Sequence, residues 1–301
     1  MSAPGRVVGK EAIAVAGSGE AAEPGWSTVI RPHGRWFDLR LRELWIYRDL
    51  VFLFVRRDFV AQYQQTILGP MWHVVQPLLT TVTFTIVFGR IARIPTDTLP
   101  PFLFYLSGTV LWGFFSSSFT KTSNTFVANA NIFGKIYFPR LAVPTSTLGT
   151  SLIGFVIQFS IFLCFLGYFM LQGAPVDPNL WMLATPLLLL LMAGIGLGGG
   201  VILSAFTTRY RDLVSVVTFG VSLLMYMTPI VYPLSEVPET YRPIVMANPM
   251  TPIVEAFRYA FLGVGTISAG HLTYTVIFTA AILFTGIVIF NRIERTFMDT
   301  V

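Results

Sequence analysis

Polar side chains recur at helical spacing within long apolar stretches of this sequence. One such face combines a histidine, a glutamine and threonines with neighbouring phenylalanines, and two further faces combine hydroxyl groups with aromatic rings. In chain order these residues are His73, Gln76, Thr80, Thr83, Phe84, Phe88, Tyr105, Thr109, Trp112, Ser116, Phe119, Ser222 and Tyr226. Hydroxyl groups beside aromatic rings suit sugars, whose C–H faces stack on rings while their hydroxyls form hydrogen bonds. The alternative is ordinary packing between helices, in which Ser and Thr bond to their own backbone.

The remaining motifs do not indicate nucleotide or metal chemistry. The G-x-G-x-x-G pattern of Gly194, Gly196 and Gly199 lies inside an apolar run, whereas a dinucleotide fingerprint requires a strand before it and a helix after it. Glycines four residues apart in this run instead predict close helix packing. The sequence has no G-x-x-x-x-G-K-[ST] motif, its three histidines are far apart, and its one cysteine, Cys164, is predicted to be an apolar packing residue. We therefore expect no catalytic residue, no metal ligand and no cofactor bound by this chain.

The composition is that of a membrane protein. Of the 301 residues, 54% are hydrophobic and 12% are charged, whereas about 25% of the residues in a soluble domain are charged. Such a chain exposes apolar surface to lipid. The formal net charge is +5, but the basic residues lie at the ends of apolar runs and form no compact patch. Nucleic acid is therefore not expected as a partner.

Six apolar runs are long enough to cross a bilayer, since about 20 apolar residues span its hydrocarbon core. The predicted spans are Pro70–Gly89, Phe102–Phe119, Leu141–Leu171, Leu180–Thr207, Leu213–Tyr232 and Leu272–Asn291. The fold class expected is an all-α integral membrane protein. None of the six runs contains Asp, Glu, Lys or Arg, which disfavours a proton-coupled carrier.

The region before the first span differs in character. Residues 1–35 are rich in Gly, Ala, Ser, Pro and Glu and predict a flexible tail. Residues 36–69 predict an amphipathic helix in the membrane interface, followed by the six-helix domain 70–301. The arginines expected to face lipid phosphates are Arg40, Arg42, Arg48, Arg56 and Arg57. The alternatives are a soluble helix that packs on another cytoplasmic element, and arginines that only set the topology.

The basic residues also predict the orientation. Sixteen of the 20 Lys and Arg residues fall on one side of the predicted spans, which places both termini in the cytoplasm. On the other side, the apolar segment between the fifth and sixth spans is too short to cross. It predicts two short helices that enter the membrane from outside and return, with Glu255 and Arg258 paired on one helical face.

Four segments resemble one family. They are RRDFVAQYQQTILGPMWHVVQPLL (56–79), NIFGKIYFPRLAVP (131–144), TRYRDL with MTPIVYP (208–213 and 227–233), and NPMTPIVEAFRYAFLG (248–263). Together they resemble the membrane subunit of ATP-binding-cassette polysaccharide exporters, a family that includes permeases for O-antigen, capsule and teichoic acid. The resemblance extends over residues 36–301.

This resemblance implies a transport mechanism and a set of partners. Two copies would form a pore in the bacterial inner membrane, and two separate ATPase subunits would bind ATP and Mg²⁺. The substrate would be a polyprenyl-diphosphate-linked polysaccharide, which aromatic residues would help to conduct. The coupling contacts with the ATPase would come from Asn131, Lys135, Tyr137 and Arg140. Glu255 and Arg258 would belong to an outer gate.

Three other functions remain open from the sequence. One alternative keeps the same fold and exports small hydrophobic compounds, for which fewer hydroxyl groups beside the aromatic rings would be expected. A membrane-embedded transferase would require acidic or histidine residues grouped at the membrane surface, whereas Asp97, Asp177 and Glu236 are scattered. A structural scaffold would not need the polar faces.

Overall fold

The computed structural model describes residues 45–129, 141–210 and 212–298. All of them belong to the unit 36–301. Several predictions fall outside the described residues: the tail 1–35, two interface arginines, and the coupling residues. The individual residues concerned are Arg40, Arg42, Asn131, Lys135, Tyr137 and Arg140.

The described residues form helices and connecting turns, with no strand among them. The α-helices are α1 (Arg48–Tyr63), α2 (Trp72–Phe84), α3 (Pro101–Ser123), α4 (Thr125–Ala128), α5 (Ala142–Leu171), α6 (Thr185–Arg209), α7 (Leu213–Tyr226), α8 (Arg242–Ala247), α9 (Met250–Leu262) and α10 (Ala269–Met298). Short 3₁₀ turns at Gly69–Met71 and Leu180–Ala184 lead into α2 and α6, and a third lies at Leu234–Glu236. A π-helical segment, Thr85–Ile91, continues α2.

Five segments are long and apolar enough to cross a membrane. They are Gly69–Ile91, Pro101–Ser123, Ala142–Leu171, Leu180–Thr208 and Ala269–Phe290. In the most apolar 18-residue stretch of each segment, 72% is buried in α3 and 61% in the segment of α6, against 17% to 22% in the other three segments. Helices α3 and α6 are therefore the centre of the bundle, and the others turn an apolar face outwards. Cys164, which we expected to be a packing residue, is exposed.

The fifth predicted span is shorter than expected. Helix α7 has 14 residues, which at about 1.5 Å per residue rise roughly 21 Å, less than the hydrocarbon thickness of about 30 Å. The chain leaves the helix at Met227, and the carbonyl groups of Pro229 and Ile230 bond to a side chain instead of continuing a helical ladder. Helices α8 and α9, with 6 and 13 residues, are also too short to cross. Their entry into the membrane stays a prediction.

The glycine run of α6 packs against its neighbours. A Cβ atom on Gly198 would lie 2.8 Å from the backbone carbonyl group of Ile282 in α10, and one on Gly286 would lie 2.8 Å from the carbonyl oxygen of Gly198. On the other side of α6, a Cβ on Gly200 would lie 2.6 Å from Cβ of Thr122 in α3. The interpretation of this run as a helix-packing motif is thus confirmed.

Helix α1 packs on the bundle with one face. Its Val55 contacts α5 at Gly149, where an added Cβ would lie 2.7 Å from the valine methyl group. Phe54 is buried in a small apolar cluster, while Phe52 and Leu53 are exposed. One face of α1 therefore packs on α5, and the location of the other face in the membrane interface stays a prediction.

Two of the segments extend beyond the predicted spans, which themselves contain no charged residue, and each extension includes a basic residue. Helix α3 continues past its predicted end at Phe119 and includes Lys121, and the π-helical segment after α2 includes Arg90. The hydroxyl groups at the end of α3 find partners within the helix, as Thr120 donates to the carbonyl oxygen of Ser116 at 2.6 Å.

Candidate functional site

A cavity of about 340 Å³ lies between α2, α3 and α5, and we call it the inner cavity. Six residues predicted to line a channel also line this cavity. They are His73, Gln76, Thr80, Thr109, Trp112 and Ser116. Residues that our sequence analysis did not single out complete its polar lining: Gln62, Ser117, Lys121, Ser151 and Gln158. The polar faces of α2 and α3 therefore meet at this cavity, and α5 contributes a third polar face to its lining.

The imidazole of His73 is held between two helices. The chain turns from α1 into α2 at Gly69, whose φ of +51° favours glycine. This turn brings the Tyr63 ring edge-on to His73, with 5.5 Å between the ring centroids. On the opposite side, a Cβ on Gly154 would lie 2.8 Å from Cε1 of His73, so a glycine is needed there to admit the imidazole.

Two buried polar atoms in the inner cavity have no hydrogen-bond partner among the described residues. They are Nε2 of His73 and Oε1 of Gln158. Leaving a buried polar group unpaired costs about 1–3 kcal/mol. Both side chains line the cavity, so each has a hydrogen-bonding atom beside it that the described residues leave unused.

The hydroxyl groups of the cavity are largely engaged within the protein. Thr80 donates to the carbonyl oxygen of Gln76 at 3.0 Å, and Ser151 donates to that of Thr147 at 2.9 Å. The hydroxyl oxygens of Ser117 and Ser151 lie 3.0 Å apart and join α3 to α5. The two interpretations of the polar faces, helix packing and cavity lining, therefore both apply to these residues.

A second cavity of about 610 Å³, the end cavity, lies where α3 ends and α5 begins. Its polar lining comes from five helices: Arg57, Asp58, Gln62, Thr120, Lys121, Asn124, Thr125, Asn129, Thr147, Thr150 and Thr218. Gln62 and Lys121 line both cavities, and Nζ of Lys121 lies 3.4 Å from Oε1 of Gln62. The two cavities thus adjoin at these side chains, and we call them together the polar cleft.

The predicted interface arginines in the described residues have different surroundings. Arg48 and Arg56 are exposed, and Arg48 lies 3.9 Å from the carboxylate of Asp49. Arg57 is half-buried and pairs with Asp58 at 2.7 Å. Its guanidinium also donates to Oδ1 of Asn129 at 3.1 Å and lies 4.7 Å from the centre of the Phe54 ring.

The other residues predicted to line a channel do not line either cavity. Phe84 and Tyr105 are buried in the apolar core, with ring centroids 6.2 Å apart, and Phe88 packs beside Phe84 at 5.4 Å. Phe119 packs against Phe115 at 5.6 Å. The remaining three, Thr83, Ser222 and Tyr226, are exposed. Their contact with a substrate stays a prediction.

Arg258 and Glu255 form a buried polar cluster in α9. The Arg258 guanidinium donates to the carbonyl oxygens of Pro229 and, at 3.0 Å, of Ile230. It lies 3.7 Å from the centre of the Phe104 ring, and its Nη1 lies 3.9 Å from Oε1 of Glu255. These contacts tie the segment after α7 to α3 and α9. A role of the pair in an outer gate stays a prediction.

The electrostatics of this pair follow from its burial. Burial raises the pKa of the Glu255 carboxyl, while Arg258 and the backbone N–H of Thr266, which donates to Oε2 at 3.1 Å, act in the opposite direction. Burial also lowers the pKa of the Arg258 guanidinium to about 10, so it stays charged at neutral pH.

The described residues form helices, several of them long and apolar enough to cross a membrane, around a polar cleft, and this arrangement suits a membrane permease. Residues 49–262 match the family described as ABC-2 type transporter, and the chain belongs to this family. A protein named O-antigen export system permease protein RfbA from Klebsiella pneumoniae is 28% identical over 253 residues, 83% of this chain and 94% of that protein.

Two further relatives agree with this assignment. A protein of the same name from Myxococcus xanthus is 29% identical over 223 residues, 73% of this chain and 83% of that protein. A protein named polysialic acid transport protein KpsM from Escherichia coli is 24% identical over 250 residues, 81% of this chain and 93% of that protein. The family resemblance predicted from four sequence segments is confirmed, and membership of a transporter family agrees with the expectation that this chain is not an enzyme.

Proposed function

We propose that this chain is the permease of a polysaccharide exporter and that the glycan passes through the polar cleft. The observation that carries this proposal is that six residues from two separate helices, singled out for their suitability for sugars, line one cavity. The names of the relatives, permeases for O-antigen and a transport protein for polysialic acid, support a glycan as the cargo.

The transported molecule is a glycan linked to a polyprenyl diphosphate, and hydrolysis of ATP drives its movement. A separate ATPase subunit binds ATP and Mg²⁺, and this chain binds no cofactor. Two copies of the chain and two ATPases assemble in the bacterial inner membrane, with both termini in the cytoplasm. The resemblance in residues 131–144 and the distribution of Lys and Arg support this arrangement.

Different parts of the chain contact different parts of this assembly. Residues 131–140 contact the ATPase, and the exposed Arg48 and Arg56 attract anionic lipid. Helices α8 and α9 form the outer gate, and the buried contacts of Arg258 hold α9 against its neighbours. Inside the cleft, Trp112 offers a ring face to a sugar, while Gln76 and Gln158 offer amides that can both donate and accept.

The test is export by the reconstituted complex with Gln158 replaced. Gln158→Leu keeps the approximate size of the side chain and removes its amide, whose Oε1 is buried and unpartnered within the described residues. A lost neutral hydrogen bond corresponds to about 0.5–1.5 kcal/mol, or roughly two- to tenfold. Export and glycan-stimulated ATP hydrolysis are expected to fall by this factor. The matched control is Ser160→Ala, at an exposed position of α5 whose hydroxyl donates to its own helix.

Three outcomes contradict the proposal in different ways. Wild-type rates of glycan export by Gln158→Leu would refute passage along the inner cavity. Stimulation of ATP hydrolysis by small hydrophobic compounds and not by the lipid-linked glycan would assign the chain to drug export. Glycan export by the purified chain without an ATPase subunit would refute the proposal that a separate ATPase drives transport.

A further inference from the structure

Lys121 occupies the junction of the polar cleft and has no ion-pair partner among the described residues. The ion pairs within the described residues join Arg48 to Asp49, Arg57 to Asp58 and Arg258 to Glu255. The side-chain contact of the Lys121 ammonium is with a neutral group, Oε1 of Gln62, at 3.4 Å. The Lys121 ammonium therefore has no carboxylate within ion-pair distance among the described residues, although the charge of Asp58 acts on it across the end cavity.

The other charged residues of the end cavity do not change this balance. Asp58 also lines the end cavity, but its carboxylate is engaged by the Arg57 guanidinium at 2.7 Å. Arg57 is held in turn by Asn129 and by the ring of Phe54. With two cations and one carboxylate among its described lining residues, the end cavity has an excess positive charge at Lys121.

The surroundings of Lys121 fit a phosphate group. A lysine ammonium is a compact charge with three N–H donors, which suits the oxygens of a phosphate. Neutral polar side chains of Gln62, Asn124 and Thr147 line the same cavity, and its 610 Å³ is within the range of small-molecule sites, about 300–1,000 Å³. The inner cavity begins at the same lysine, so a glycan attached to the phosphate has space to continue into it.

We propose that Lys121 binds the phosphate or diphosphate group that joins the substrate's lipid to its glycan, at the junction of the end cavity and the inner cavity. This inference rests on the proposed function and deepens it. It assigns the contact with the substrate's phosphate to a lysine at the end of α3, whereas the exposed arginines of α1 attract anionic membrane lipid. In this position the charge selects for a phosphorylated lipid, while the rest of the inner cavity contacts sugar.

The test measures the binding of undecaprenyl diphosphate that carries no sugar. The full chain is purified with its ATPase subunits and inserted into phosphatidylcholine nanodiscs. Lys121→Gln removes the charge, and Lys121→Arg restores it. A charge-assisted contact of this kind corresponds to roughly a ten- to hundredfold change in affinity. Lys121→Gln is expected to weaken binding by this factor, and Lys121→Arg to stay within a few-fold of the wild type.

Two further measurements identify the bound group. Binding of the free glycan, cleaved from its lipid, is expected to be unchanged in Lys121→Gln. Phosphatidylglycerol added to the nanodiscs is expected to compete weakly with the probe. The control variant Arg242→Gln removes an exposed arginine of α8, outside the polar cleft, and is expected to bind like the wild type. Thermal unfolding of each variant confirms that it is folded.

The outcomes separate this inference from the proposed function. If the wild type exports the lipid-linked glycan and Lys121→Gln binds undecaprenyl diphosphate with unchanged affinity, the assignment to Lys121 is wrong and the proposed function stands. If phosphatidylglycerol displaces the probe at equal concentration, the site binds membrane lipid in general and the inference is overturned. If the wild type neither binds nor exports the lipid-linked glycan, the proposed function itself fails.

Discussion

Replacement of Arg258 by methionine is expected to destabilise the protein by about 3–5 kcal/mol. The guanidinium is buried and donates to the carbonyl oxygens of Pro229 and Ile230. Methionine fills a similar volume but donates no hydrogen bond, so both carbonyl groups lose this donor. Glu255 loses its opposite charge as well, and removing one partner of a buried ion pair costs about 3–5 kcal/mol. The carbonyl contribution overlaps with this figure and is not added to it.

The assay is equilibrium unfolding of the purified chain in mixed micelles, followed by tryptophan fluorescence. The control is Glu255→Gln, because its amide oxygen can still accept from the N–H of Thr266, and Arg258 keeps its carbonyl and Phe104 contacts. Glu255→Gln also leaves a buried charge without its ionic partner, but the guanidinium keeps two carbonyl acceptors and the Phe104 ring, so a smaller loss of about 1–3 kcal/mol is expected. The double variant, with both Arg258→Met and Glu255→Gln, is expected to lose less stability than the two single variants together, because it leaves no buried charge unpaired.

The pH dependence provides a second check on the same reasoning. Arg258 holds down the pKa of the Glu255 carboxyl, which burial raises, so Arg258→Met raises this pKa further. A carboxyl group with a raised pKa in the folded state destabilises the fold when it ionises. Arg258→Met is therefore expected to regain stability, relative to the wild type, as the pH falls from neutral towards about 4.3, the ordinary glutamate value. A loss below about 1 kcal/mol at neutral pH, with no pH dependence, would refute the account.

Two further predictions concern helix packing and use the same unfolding assay. Gly198→Ala places a Cβ 2.8 Å from the backbone of Ile282 and is expected to cost about 1–3 kcal/mol by forcing α6 and α10 apart. Gly220→Ala, whose added Cβ meets nothing within 4 Å, is expected to gain up to about 1 kcal/mol from helix propensity; equal effects would contradict the packing role of Gly198. Thr81→Val removes a hydroxyl pair with Thr109 at 3.1 Å and is expected to cost about 0.6 kcal/mol, the average for hydrogen bonds between membrane helices.

Periodicity in the sequence was sufficient to find the central part of the cleft. A helical face is fixed by spacing alone, so His73, Gln76 and Thr80 could be grouped before their partners were known. Length and hydropathy were sufficient for five spans. The same criteria overextended the fifth, because an apolar run does not reveal that a buried arginine elsewhere binds the carbonyl groups of its last residues.

The third wall of the cleft carried a signal that our sequence analysis missed. Thr147, Ser151, Gly154 and Gln158 follow one another at intervals of four, three and four residues, and so lie on one face of α5. In a run of 30 mostly apolar residues this face is inconspicuous. Tyr105 is the opposite case. Its spacing places it on the polar face of α3, but its side chain lies in the apolar core, because spacing does not reveal which helix packs against that turn of α3.

The chemistry of the cleft suits a polymer that must keep moving. Threonine and serine hydroxyls along it donate to carbonyl oxygens of their own helices, as Thr80 and Ser151 do, and so they offer a sugar mainly acceptor lone pairs. Donors remain on the glutamines and Trp112. Conduction requires binding strong enough to admit a substrate and weak enough to release it, and hydroxyls already satisfied by the backbone bind weakly at many sites. Under the proposed function, the single strong contact, with the charge of Lys121, belongs where transport begins, because the phosphate occurs once per lipid-linked glycan while the sugars repeat.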